Sequence, residues 1–319
     1  MSGSTGQTKS DFEPNPGKTL VLGGAWARFP LQVDLVAPGD DITALAAARV
    51  ARFFADLPGA DRPVRTAAEA GTWYLFVSEK VVAVSQRRIF RIDELHPSLA
   101  ARVLSRFVVR TPYGIGLGHP ATMHLAIGEA GLPRILLASA VSLAGKAVGR
   151  RGLFYRVAGA RVRSIDGPTP YSAYPANVSA KLAPADPDGA ARRISAAVRA
   201  AVPPQHRDRF GGTVIIDAND LGRNVLGTDA LGTGTTGTGT TGTGTTGRGP
   251  GRSRARLEAA FADNPLGQGR QQTPFAVVVD LAGAATTVTA ATAGRSARTP
   301  AAARRRTPVA AGRSSCSGR

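Results

Sequence analysis

The sequence predicts an α+β protein built on a mixed sheet. Three observations carry that expectation. Several runs of β-forming residues follow one another without an intervening helix. Helix-period apolar patterns fall between them in irregular order. And 43% of the 319 residues are apolar, enough for a packed core and too many for a chain disordered throughout.

Taken in order, residues 1–17 are polar, contain Gly and Pro, and read as a disordered leader. Residues 19–22 read as a first strand. Gly39, Asp40 and Asp41 form a turn and cap, and a helix is expected over 42–57, with Leu45, Val50, Phe53 and Phe54 as apolar positions. Residues 73–77 and 81–84 read as two strands split by Ser78, Glu79 and Lys80. Helical patterns follow at 98–109 and 120–130, and a strand is expected at 153–157. A loop rich in Pro and Tyr runs from Asp166 to Asn177. Asp186 followed by Pro187 is a helix entry, with Ile194, Val198 and Ala201 on the apolar face. Residues 213–216 form a strand of buried type leading into Asp217, Ala218, Asn219 and Asp220. Residues 232–246 are three copies of Gly-Thr-Gly-Thr-Thr, which holds no large apolar side chain and reads as a flexible linker. A helix near 254–262, a loop over 264–274 and a strand at 275–279 complete the ordered part. The domain boundaries are therefore a leader at 1–17, one domain over 18–230 and 253–281, the linker 231–252, and a basic tail at 282–319.

The net charge of +18 is unevenly spread: residues 245–319 carry 12 basic and three acidic residues, half of the excess, and seven arginines follow Asp280. Arg304, Arg305 and Arg306 lack the interleaved aromatics that base stacking needs, so nonspecific phosphate contact by the tail is the most that is expected of nucleic acid. The longest apolar stretch, 135–145, is far below the roughly 18–20 residues of a membrane span, and no membrane partner is expected. Cys316 is the only cysteine, and residues 1–17 carry no charged-then-apolar leader, so the expected localisation is cytoplasmic.

Three segments are candidates for chemistry. Asp217, Ala218, Asn219 and Asp220 follow the end of a hydrophobic strand, where α/β proteins gather ligands, and acid oxygens there suit Mg²⁺ or Mn²⁺; the same residues also suit a plain turn. Gly267, Gln268 and Gly269 could let backbone approach phosphate, or form an ordinary glycine turn. Asp166 opens a loop stiffened by Pro168 and Pro170, functional or merely connecting. His119 and His124, five apart, read as a helix cap and a surface histidine rather than metal ligands.

The order of short motifs resembles the coenzyme F(420) gamma-glutamyl ligase family. Residues 34–41 (DLVAPGDD) resemble its N-terminal nucleotide-side segment, residues 76–82 (FVSEKVV) its "T-H-K-I-V" strand and turn, and Asn177-Val178 with 186–189 (DPDG) its "S-N-V … D-P-D" stretch. Residues 213–219 resemble "V-I-I-T-D-T-N", and 266–269 (LGQG) through Pro274 its closing segment. The resemblance covers about residues 19–280 and implies a two-lobed ligase-like fold. It also implies an acyl-phosphate ligase that joins an L-glutamate-like amine to a small-molecule carboxylate, with GTP or ATP as co-substrate, Mg or Mn as the ion, and a homodimer as the assembly. Carried onto this chain, it marks Asp166, Asp217 and Gln268 as metal ligands, and Asn177, Lys80, Gly267 and Gly269 as nucleotide or substrate contacts. Three positions depart from the family: Val84 stands where a nucleotide-contacting lysine is usual, Tyr174 where a metal-binding aspartate is, and Ala218 where a threonine is. A catalytically weakened ligand-binding relative is the alternative those departures suggest, and a nucleic-acid-associated protein acting through the basic tail is the other alternative.

Overall fold

The computed structural model describes residues 25–108, 116–150, 152–168, 177–219, 222–230, 254–267 and 272–281. The expected strand at 19–22, the leader, the linker, the tail, Tyr174, Gln268 and Gly269 lie outside the described residues.

The α+β class holds. Five strands form one mixed sheet: β1 (Trp26–Leu31), β2 (Thr72–Ser78), β5 (Phe210–Asn219), β6 (Gly222–Thr228) and β7 (Phe275–Asp280), in the spatial order β1-β7-β2-β5-β6. β3 (Ile89–Arg91) and β4 (Ser179–Lys181) pair separately as an antiparallel ribbon. In the large sheet only β2 and β5 run parallel; their register sets Val77 beside Ile215 and Ser78 beside Ile216.

Both faces of the sheet are covered, and strand alternation assigns each residue to one of them. Trp73, Leu75 and Val77 of β2 and Phe275, Val277 and Val279 of β7 point to one face, under α1 (Ile42–Asp56) and α9 (Pro187–Ala201). Tyr74, Phe76, Ala276 and Val278 point to the other, under α11 (Arg254–Ala259), where Phe76 stacks on Phe261. On that second face Arg28 of β1 is almost wholly buried, paired with Asp263 and donating to the Ala260 carbonyl at 3.2 Å. A third cluster is mostly helical and includes Ala101, Met123, Ile135, Ala158 and Val162. It joins α4 (Leu99–Ser105), α5 (Pro120–Ala130), α6 (Leu132–Ala147), α7 (Leu153–Ala158) and α8 (Ala160–Arg163) to Ala180 of β4, while the short helices α2 (Arg62–Glu69) and α10 (Pro204–Arg207) stand outside that cluster.

The caps read from sequence are in place. Asp41 accepts from the N–H groups of Thr43 and Ala44. Asp186 accepts from Gly189 N–H, and Ile194 and Val198 are buried, although Ala201 is exposed. His119 caps α5, its Nδ1 accepting from Ala121 N–H. His124, read as a surface residue, is instead half-buried with an enclosed Nδ1.

Two expected strands are helices. Residues 81–84 belong to α3 (Glu79–Ser85), because β2 ends at Ser78 and the chain turns at once onto the core, burying Val82, Ala83 and Val84. Tertiary burial overrides the β preference of those valines. Residues 153–157 belong to α7, framed by Gly152 at φ 78° and Gly159 at φ 101°; both are left-handed backbone that ends a regular element. The sequence reading named no helix at α6 and no strand at β1, β3, β4 or β6.

Candidate functional site

The parallel β2/β5 pair determines where the chemistry gathers. Both strands end on the same side, so the residues that follow Ser78 and Ile216 meet there. Those residues are Glu79 and Lys80 at the start of α3, and Asp217 near the end of β5. Ala218 packs on the second face of the sheet, so alternation turns Asp217 to the first. Pro274, just before β7, reaches the same end, its carbonyl accepting from Ser78 N–H at 2.8 Å.

The short ribbon brings the remaining groups. Asp166 and Lys181 face each other across an isolated antiparallel bridge, exchanging backbone hydrogen bonds at 3.0 and 2.9 Å. Lys181 is completely buried. Its ammonium pairs with Glu79 Oε1 and lies 3.3 Å from Asp166 Oδ2. The ammonium thus contacts Glu79 and Asp166, and Asp217, Lys80 and Arg163 are close enough to act on the same charges.

The electrostatics follow from that crowding. Burial raises the Glu79 carboxyl to about 7; Lys181 opposes the shift, and the negative Asp217 and Asp166 add to it. Burial also raises Asp217, against the pull of Lys181. Burial lowers Lys80. For Lys181 burial acts downward, yet the surrounding carboxylates outweigh it and the ammonium is held more firmly than usual. Glu79 is the most enclosed of the three carboxylates, and its burial is the main reason that it holds a proton near neutral pH. Its second oxygen, Oε2, is buried without a hydrogen-bond partner.

The sequence-predicted residues therefore divide. Asp166, Asp217 and Lys80 come together around Lys181. Asn177 sits at φ 67° two residues before β4, on the segment that delivers Lys181. Gly267 ends the turn after α11, its N–H donating to the Asn264 carbonyl and its own carbonyl accepting from Asn264 Nδ2 at 3.2 Å. Gln268 and Gly269 fall outside the described residues. Val84 is buried in the core under α1, so that position cannot present a phosphate ligand.

The donor set was expected to hold Mg²⁺ or Mn²⁺. Acid oxygens suit such ions, but here Glu79 and Asp166 are engaged by the Lys181 ammonium, and among the described residues no group of three His, Cys, Asp or Glu side chains is arranged to hold a metal. Sequence reading missed Glu79 and Lys181. The available signal was position: Glu79 follows directly on a hydrophobic strand, and Lys181 is one of only five lysines.

An open cavity of about 490 Å³ lies elsewhere, lined by Asp34, Asp40, Arg49 and Gln272 among others. It includes none of the residues around Lys181. Compared with known proteins, the chain matches no protein-family model and no curated protein.

Proposed function

We propose that the chain is a nucleotide-dependent ligase of the gamma-glutamyl kind. In this reading a substrate carboxylate takes the terminal phosphoryl group of GTP or ATP, releasing the nucleoside diphosphate. An L-glutamate-like amine then displaces phosphate to form the amide. The supporting observation is the gathering of Lys80, Lys181 and Asp217 at the carboxyl ends of the parallel pair β2 and β5. Phosphoryl transfer depends on positioning and charge neutralisation more than on a protein nucleophile; Lys80 and the exposed Arg163 are the cations offered to anionic substrates, while the buried Lys181 is committed to Glu79 and Asp166. Mg²⁺ or Mn²⁺ enters as the counter-ion of the nucleotide, with Asp166, Asp217 and Gln268 as the residues that would hold it.

The test is thermal unfolding with GTP or ATP, with and without Mn²⁺, on the parent and on Asp217→Ala. Ligand at about one hundred times its Kd adds roughly 2.7 kcal/mol, a rise of about 5–10 °C for a domain of this size. Asp217→Ala is expected to lose most of it. No shift in the parent, with Asp217→Ala indistinguishable from it, overturns the reading.

A second reading, a weakened relative that binds without turnover, is favoured by one observation: the Lys181 ammonium already occupies the space between the carboxylates. A nucleotide-induced shift with no phosphate release selects it.

A further inference from the structure

Helix α6 has an outward face made only of apolar residues. Its inward face carries Ile135, Ala138 and Gly145, which are buried. On the opposite side, at helical spacing, stand Leu132, Leu136, Ala140, Leu143 and Ala147, every one exposed. Leu137 is exposed beside them, and Val148 follows at the C-cap; Leu143 is 72% and Val148 73% solvent-accessible. A surface helix normally places polar residues there, and several exposed leucines in a row mark a binding surface.

Charge identifies the occupant. Between residues 130 and 165 there are seven arginines and lysines and not one aspartate or glutamate. Arg134 and Lys146 border the apolar stripe on its two sides, and both are exposed, as are Arg150 and Arg156 just beyond. A second copy docking face to face would set this positive collar against itself, and the C-terminal segment, with seven arginines and no acid after Asp280, repeats the same sign. An apolar stripe bordered by cations is instead the pattern of a helix lying in the interface of an anionic bilayer, its leucines at the acyl boundary and its basic side chains among the headgroups.

We infer that α6 is a peripheral docking surface for membranes carrying anionic lipid. Lying on a membrane requires no span, and among the described residues no single helix is long and apolar enough to cross one. α5 and α6 are bent 113° to each other, and the buried side of α6 is committed to the protein's own core, so the helix presents one face and keeps the other.

The experiment uses the full chain with vesicles of phosphatidylcholine alone and of phosphatidylcholine mixed with phosphatidylglycerol. An environment-sensitive fluorophore is placed at Leu143→Cys in a Cys316→Ser background. The expected result is a blue shift with the mixed vesicles only, and a loss of about tenfold or more in vesicle binding for Leu136→Ser/Leu143→Ser. Each removed collar cation is expected to cost about fivefold. Because the altered leucines are exposed, circular dichroism and melting temperature should be unchanged. Binding without a blue shift, or binding unaffected by the leucine substitutions, assigns the attraction to the arginine tail and overturns the inference. So does a dimer in sedimentation that the leucine substitutions dissolve, since the face would then be covered by a second copy.

Discussion

Lys181→Met removes the buried cation that pairs with Glu79 and lies beside Asp166, at a position with no solvent exposure. Glu79, 4% exposed, then loses its partner while remaining enclosed. Breaking a buried pair by deleting one member typically costs about 3–5 kcal/mol, because the survivor is an uncompensated buried charge. Here the survivor can escape by keeping a proton, so the cost depends on pH. In the parent the Glu79 carboxyl titrates at about 7; without the ammonium it titrates higher. Between pH 4.5 and 7 both folded proteins hold that proton while the unfolded chain has released it, so both lose stability in parallel as pH rises. Above pH 7 the parent levels off, and the variant goes on losing about 1.4 kcal/mol per pH unit until its own carboxyl ionises. Urea unfolding followed by the fluorescence of the buried Trp26 and Trp73 should give a loss of about 3–5 kcal/mol at pH 8.5, and about 2 kcal/mol less at pH 6. Adding Glu79→Gln to the same chain should restore much of the loss. A cost below about 1 kcal/mol at pH 8.5, or one equal at both pH values, refutes the buried charge pair.

Glu79→Gln alone should alter the pH profile of stability. A carboxyl raised from 4.5 to about 7 holds, in the folded state, a proton that the unfolded chain has released. Its contribution is complete below 4.5 and is lost as pH rises through 7, about 3 kcal/mol in all. Unfolding titrations should show the parent falling over that window relative to the Gln variant; matching profiles would count against the assignment. Gly227→Ala should destabilise by about 1–3 kcal/mol in thermal unfolding. A Cβ there would stand 2.5 Å from the Pro187 carbonyl carbon and 2.6 Å from the Asp188 nitrogen, backbone of the first turn of α9. An unchanged melting temperature would mean that β6 and α9 have room to separate.

Residues whose signal is local were legible in the sequence. Asp41, Asp186 and His119 cap helices as their side chains dictate, because a cap is satisfied within three residues of itself. The strands at 73–77, 213–216 and 275–279 were visible because burial on both faces leaves a continuous apolar run. Residues 81–84 and 153–157 were misread because their β-branched and aromatic residues fit either element, and packing against α1 or α6 settles the choice.

The sequence by itself determined the α+β class, the helix entries, and the acids at 166 and 217 as groups apart from the core. Only the tertiary structure decided what those acids face. β2 and β5 are separated by more than 130 residues, and their parallel register is what places Glu79 beside Asp217. The bridge between Asp166 and Lys181 then inserts an ammonium among the carboxylates. No local pattern encodes that meeting: a lysine read alone is a solvated cation, and it becomes a buried counter-charge only when distant strands close around it.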